Sequence, residues 1–117
     1  MRVLLVDDET EFVATLAERL SFRKMEVDYT TRAADALTMA AEKVYDLAVL
    51  DMKMPGIGGI ELKALLEKQC PAMKFIFLTG HGSEDDYIAG SSGACSYLVK
   101  PINIDTLTAK IREAIEG

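Results

Sequence analysis

Apolar positions in this 117-residue chain fall into two alternating kinds of segment. Short, nearly unbroken runs rich in Val, Leu, Ile and Phe cover 3–6, 27–30, 47–50, 75–78 and 97–99. Such short runs predict strands covered on both sides, as in parallel sheets. Between them the period changes. Phe12, Val13, Leu16, Ala17 and Leu20 recur at helical spacing, as do Ala33, Ala36, Leu37, Ala40 and Ala41. Leu62, Leu65 and Leu66 make a third stripe. Ile104, Leu107, Ile111 and Ile115 make the last, with Asn103 placed as its N-cap. A further helix is expected over 84–92 from its place in the alternation. Ser83 can start it, but Tyr87 and Ile88 are its only large apolar residues. Gly90, Ser91 and Ser92 together cost it about 2 kcal/mol of helix propensity. Five strands and five helices in strict alternation predict an α/β fold: a parallel sheet with helices on both faces.

Length and composition narrow the function classes. One domain over 1–117 is expected, with no internal repeat, linker or low-complexity tract. Half the residues are hydrophobic and 27% are charged, the balance of a globular chain that needs no metal or disulfide staple. The net charge of −6 argues against direct nucleic-acid binding, which needs clustered Lys and Arg. No apolar run approaches the ~20 residues of a membrane span, and the apolar stretch at 3–6 is too short for a signal peptide. A cytoplasmic location is expected. Cys70 and Cys95 read as two reduced thiols, and no Cys/His cluster has zinc spacing.

In open α/β sheets, ligands bind beyond the carboxyl ends of the strands. The first strand ends in Asp7, Asp8 and Glu9, the third in Asp51, the fourth in Thr79-Gly80-His81-Gly82 and the fifth in Lys100-Pro101. Taken singly these residues say little. Asp7 or Asp8 reads as a turn former, Thr79 as a turn residue, Lys100 as a solvated charge and His81 as a loop histidine. Together, carboxylates, a hydroxyl and an ammonium converge on one sheet edge. Clustered carboxylates repel unless a cation joins them, and an all-oxygen set suits a hard ion such as Mg²⁺. A carboxylate can also attack phosphorus, a reaction that needs positioning and charge neutralisation more than covalent help.

The same residues resemble a family pattern over the whole chain. Leu5-Val6-Asp7-Asp8-Glu9 resembles the acidic pair of response-regulator receiver domains, from two-component systems. Leu50-Asp51-Met52-Lys53-Met54-Pro55-Gly56 resembles their phosphoacceptor segment, and Phe77-Leu78-Thr79-Gly80-His81-Gly82-Ser83 their switch-hydroxyl segment. Gly93-Ala94-Cys95-Ser96-Tyr97-Leu98-Val99-Lys100-Pro101 resembles the closing motif. The resemblance implies a doubly wound sheet of the flavodoxin- and CheY-like type, in strand order 2-1-3-4-5. It implies a phosphoacceptor, Asp51, charged by a sensor histidine kinase or a histidine phosphotransfer protein. Asp8, Asp51 and the backbone carbonyl of Lys53 would hold Mg²⁺ directly, and Asp7 through water. Thr79 and Lys100 would contact the phosphoryl oxygens, beside a cis Lys100–Pro101 peptide. Tyr97 would be an aromatic switch, swinging inward as Thr79 moves. The surface of the fourth helix, fifth strand and fifth helix would then change, acting on an output domain C-terminal to Gly117 or on a second copy. Lys53 and His81 flank the site and would tune dephosphorylation. The resemblance thus implies a signalling domain rather than an enzyme acting on other substrates.

Other readings remain open on the residues alone. A phosphohydrolase with an Asp nucleophile shares the parts, though 117 residues leave little room for a substrate cap. A phosphorylation-independent interaction module is a second, and a flavodoxin-like cofactor binder a third. The Asp-Asp-Glu run after the first strand would repel the cofactor's phosphate.

Overall fold

The computed structural model describes residues 1–80 and 96–116. Its strands are β1 (Arg2–Val6), β2 (Glu26–Thr30), β3 (Leu47–Asp51), β4 (Lys74–Thr79) and β5 (Ser96–Val99). The described helices are α1 (Thr10–Ser21), α2 (Ala33–Glu42), α3 (Gly59–Gln69) and α4 (Ile104–Glu116). All strand pairs are parallel, and the sheet order is β2-β1-β3-β4-β5. The helix expected over 84–92, together with His81 and Cys95, lies outside the described residues.

Strand alternation divides the core in two. Val3 and Leu5 of β1, Leu47 and Val49 of β3, and Ile76 and Leu78 of β4 meet α1 and α4 through Val13, Leu16, Leu20, Leu107 and Ile111. Their neighbours Leu4, Val6, Ala48, Leu50, Phe75 and Phe77 point the other way, onto Ala36 and Ala40 of α2 and Leu62 and Leu66 of α3. In β1, β3 and β4 a two-residue period builds both cores at once, so these strands are buried almost throughout, whereas the edge strand β2 alternates polar Glu26, Asp28 and Thr30 with Val27 and Tyr29.

Four expected core positions are exposed: Tyr29 and Val99, on the edge strands β2 and β5, and Ala41 and Leu65 on helices. Ala41 and Leu65 each lie roughly 100° round the helix from a buried neighbour, Ala40 or Leu66, at 3.6 residues per turn. The buried arcs are narrower than the apolar stripes. Asn103 does cap α4: its Oδ1 accepts the Thr106 N–H at 3.0 Å.

Sheet order and crossovers together position the site. The chain leaves β1 toward β2 on one side, while β3 and β4 lie on the other. Connections that part in this way open a crevice at the carboxyl ends of β1 and β3.

Candidate functional site

Backbone rungs beyond the strands fix the residues at the crevice. The Asp7 N–H donates to the Thr30 carbonyl at 3.2 Å, and the Lys100 N–H to the Thr79 carbonyl at 2.7 Å. The Met52 N–H donates to the Leu78 carbonyl at 2.9 Å, just after Asp51. The Lys100–Pro101 peptide is cis.

Asp7 and Asp51 are buried, Asp8 is exposed, and their carboxylate oxygens lie within 4.8 Å of one another. Lys100 reaches into this group. Its Nζ stands 2.9 Å from Asp7 Oδ2, 2.8 Å from Glu9 Oε1 and 3.7 Å from Asp51 Oδ1. It also lies over the Phe12 ring, 4.7 Å from the centroid. The Glu9 N–H donates to Asp7 Oδ1 at 2.9 Å. The Lys53 N–H approaches Asp51 Oδ1 at 3.5 Å, the outer limit for a hydrogen bond.

Excess negative charge in a buried place shifts these groups. Burial, then the Asp7 charge and a hydrogen bond with Asp8, push the Asp51 carboxyl up to about 7 against the pull of Lys100. Burial also raises Asp7, opposed by its hydrogen bond from Glu9 and by Lys100. Burial works against the Lys100 charge, but Glu9 and Asp7 outweigh it and the ammonium is held more firmly than usual.

The donor set fits a hard divalent cation. Asp7 Oδ2 is buried with no well-aligned hydrogen bond, and its compensation is the ion pair with Lys100. At about 2.1 Å per Mg–O bond, opposed ligands stand ~4.2 Å apart, so these carboxylates are close to the spacing one ion needs.

Thr79 is fully buried at the end of β4. Tyr97 is half-buried in β5, in register with Phe77, and packs on the α2–α3 side of the sheet. The strand period puts Thr79 on that same side, since it follows Phe75 and Phe77 at alternate positions. The Lys53 side chain is exposed. Met52 and Met54, in the loop after Asp51, pack against the core on the α2–α3 side.

Two residues at the site carry weight that the sequence did not reveal. Glu9 is a Lys100 partner, although it was visible only as a third acid after β1. Gly59 is the first residue of α3, and its N–H donates to the Met52 carbonyl at 3.1 Å. A Cβ there would run into the Asp51 carbonyl. The Gly58-Gly59 pair hinted at a close approach, but not to what.

Beside the site, an open groove of about 690 Å³ runs between α1 and residues 100–104. Apolar Phe12, Leu16, Ile102 and Ile104 line it together with charged Glu9, Arg19 and Lys100.

Residues 3–112 match the family model of the response regulator receiver domain. The chain is 38% identical over 113 residues to the transcriptional regulatory protein TcrA of Mycobacterium tuberculosis, covering 96% of this chain and 45% of TcrA. It is 34% identical over 115 residues to the transcriptional regulatory protein GlrR of Escherichia coli, covering 97% of this chain and 26% of GlrR. The chain therefore spans less than half the length of these relatives. Among solved structures, it is similar to a CheY-like response regulator receiver domain protein from Methanospirillum hungatei. The TM-score is 0.89 at 34% identity, covering 98% of this chain and 93% of that one.

Proposed function

The chain belongs to the response regulator receiver domain family, and from that premise we propose that residues 1–117 form one receiver domain whose phosphoacceptor is Asp51. The single observation that carries the reading is Asp51's setting. It is one buried carboxylate at the end of β3, with Asp7 and Asp8 within 4.8 Å and the Lys100 ammonium 3.7 Å away.

The donor is a phosphohistidine on a sensor histidine kinase or a histidine phosphotransfer protein. A carboxylate oxygen of Asp51 attacks phosphorus, the P–N bond breaks, and the imidazole nitrogen leaves with the bonding pair. The product is an aspartyl phosphate. Asp7, Asp8, Asp51 and the Lys53 carbonyl would hold a Mg²⁺ ion, which supplies charge neutralisation for the phosphoryl oxygens. Lys100 supplies a second positive charge, Thr79 a hydroxyl donor, and the Lys53 and Gly80 N–H groups further donors. Burial of Asp7, Asp51 and Thr79 strengthens these interactions by keeping bulk water away.

Thr79 and Tyr97 share the α2–α3 side of the sheet, which suits a coupled movement. As Thr79 turns to the phosphoryl group, Tyr97 packs further inward and the face around β5 changes. TcrA and GlrR are transcriptional regulatory proteins longer than this chain. An output domain beyond Gly117, or a homodimer formed on activation, would read that face.

Incubation with acetyl phosphate and Mg²⁺ tests the acceptor. One phosphoryl group should be added to the intact chain, labile as acyl phosphates are, and Asp51→Asn should take up none. Equal uptake by Asp51→Asn would remove Asp51 from the role.

A further inference from the structure

Lys100 is shared among more partners than a phosphoryl-binding lysine needs. An ammonium has three N–H donors. Here the short contacts are Glu9 at 2.8 Å and Asp7 at 2.9 Å, with the Phe12 ring alongside. Asp51, at 3.7 Å, is beyond hydrogen-bond reach. The shortest contact of the lysine is therefore with Glu9 rather than with the acceptor.

Among the described residues, Lys100 is the one side-chain partner shown for the Glu9 carboxylate. Glu9 precedes α1 without capping it, while its backbone carbonyl accepts the Val13 N–H and its N–H serves Asp7. It is also the exposed member of the lysine's close partners, where Asp7 is buried. A carboxylate that does not cap the helix, within 3 Å of the ammonium, and open to water is easily exchanged for a stronger acceptor.

We propose that Glu9 is a positioning residue that parks Lys100 and competes with the phosphoryl group on Asp51 for its ammonium. The proposal rests on the reading of Asp51 as acceptor. A phosphoryl group brings close to two negative charges and strong acceptor oxygens. Lys100 releases Glu9 and turns toward it. Glu9 thereby weakens the phosphorylated state by a fixed factor. Exposed pairs of this kind are worth little, so the factor is about two- to fivefold.

Beryllofluoride, which mimics the aspartyl phosphate, gives an equilibrium readout that does not depend on turnover. With Mg²⁺ saturating for each variant, amide NMR shifts follow its titration into wild type, Glu9→Gln and Glu11→Gln. Glu11 is exposed in the first turn of the same helix, so it controls for loss of one negative charge nearby. Glu9→Gln should bind beryllofluoride about two- to fivefold more tightly than wild type, with the gain shrinking as salt is raised. Glu11→Gln should match wild type. Unchanged or weaker binding by Glu9→Gln, or an equal gain in Glu11→Gln, would overturn the proposal while leaving Asp51 as acceptor. Failure of wild type itself to bind beryllofluoride would instead overturn the acceptor reading, and this proposal with it.

Discussion

Asp51 lies almost fully buried beside a second buried carboxylate, and both circumstances favour its protonated form. Its carboxyl is raised from an ordinary 3.8 to about 7. Between those values the native state keeps a proton that the unfolded chain has released. Stability therefore falls as pH rises through that window, and the full cost is present above it. Removing the charge should recover part of the cost, on the order of 1–3 kcal/mol at pH 8 and almost none at pH 4. In chelator-treated buffer, Asp51→Asn should thus unfold at higher urea than wild type at pH 8 and at the same urea at pH 4. Equal midpoints at pH 8 would contradict the burial argument. The acids, Thr79 and Lys100 could be read from the sequence because each follows a strand that the apolar period already delimits. Glu9 was not legible as a lysine partner. Sequence adjacency to Asp8 does not say which way the first turn of α1 directs its side chain.

Elements were legible where burial is two-sided and less so where it is partial. All five strands lie within a residue or two of their expected positions; β1, β3 and β4 are covered on both faces, whereas β2 and β5 are partly exposed edge strands that the alternation of segments placed. The Ala41 and Leu65 positions misled because a helix stripe can be wider than the face it buries. The loop between β3 and α3 was legible as the segment that follows Asp51, but its packing was not. It contains Gly56 at φ +80 and ends in Gly58 and Gly59. Helix propensity alone says Gly59→Ala should stabilise α3 by about 1 kcal/mol. The Asp51 carbonyl says otherwise, since the new Cβ meets backbone that cannot swing aside. We expect the clash to win, with a net loss on the order of 1–3 kcal/mol in urea denaturation. Phosphoryl uptake should also slow, because the displaced carbonyl belongs to the acceptor residue. A Gly59→Ala protein as stable as wild type would show that α3 can slide away from β3 freely.

At the scale of the whole molecule, the acidic pocket is a local cost carried by a two-sided core. Val3, Leu5, Val49, Ile76 and Leu78 are buried on one side, and Leu4, Leu50, Leu62, Leu66 and Phe77 on the other. Both layers are contiguous with the strand ends that hold Asp7 and Asp51, so repulsion there is linked to global unfolding. A cation that binds the folded pocket and not the unfolded chain must then stabilise the entire domain. At ten times the dissociation constant the gain is about 1.4 kcal/mol, roughly a 5 °C rise in Tm for a domain of this size. Asp8 is the exposed carboxylate of the three, with least burial to lose on replacement. Removing it deletes a ligand and relieves like-charge repulsion together. Asp8→Ala should therefore melt at or above the wild-type Tm in chelator and show no rise when Mg²⁺ is added. Thermal melts of both proteins across a Mg²⁺ series check this. A parallel rise in the two would place the ion elsewhere, and a large drop in the Asp8→Ala Tm in chelator would mean that Asp8 supports the fold rather than burdening it.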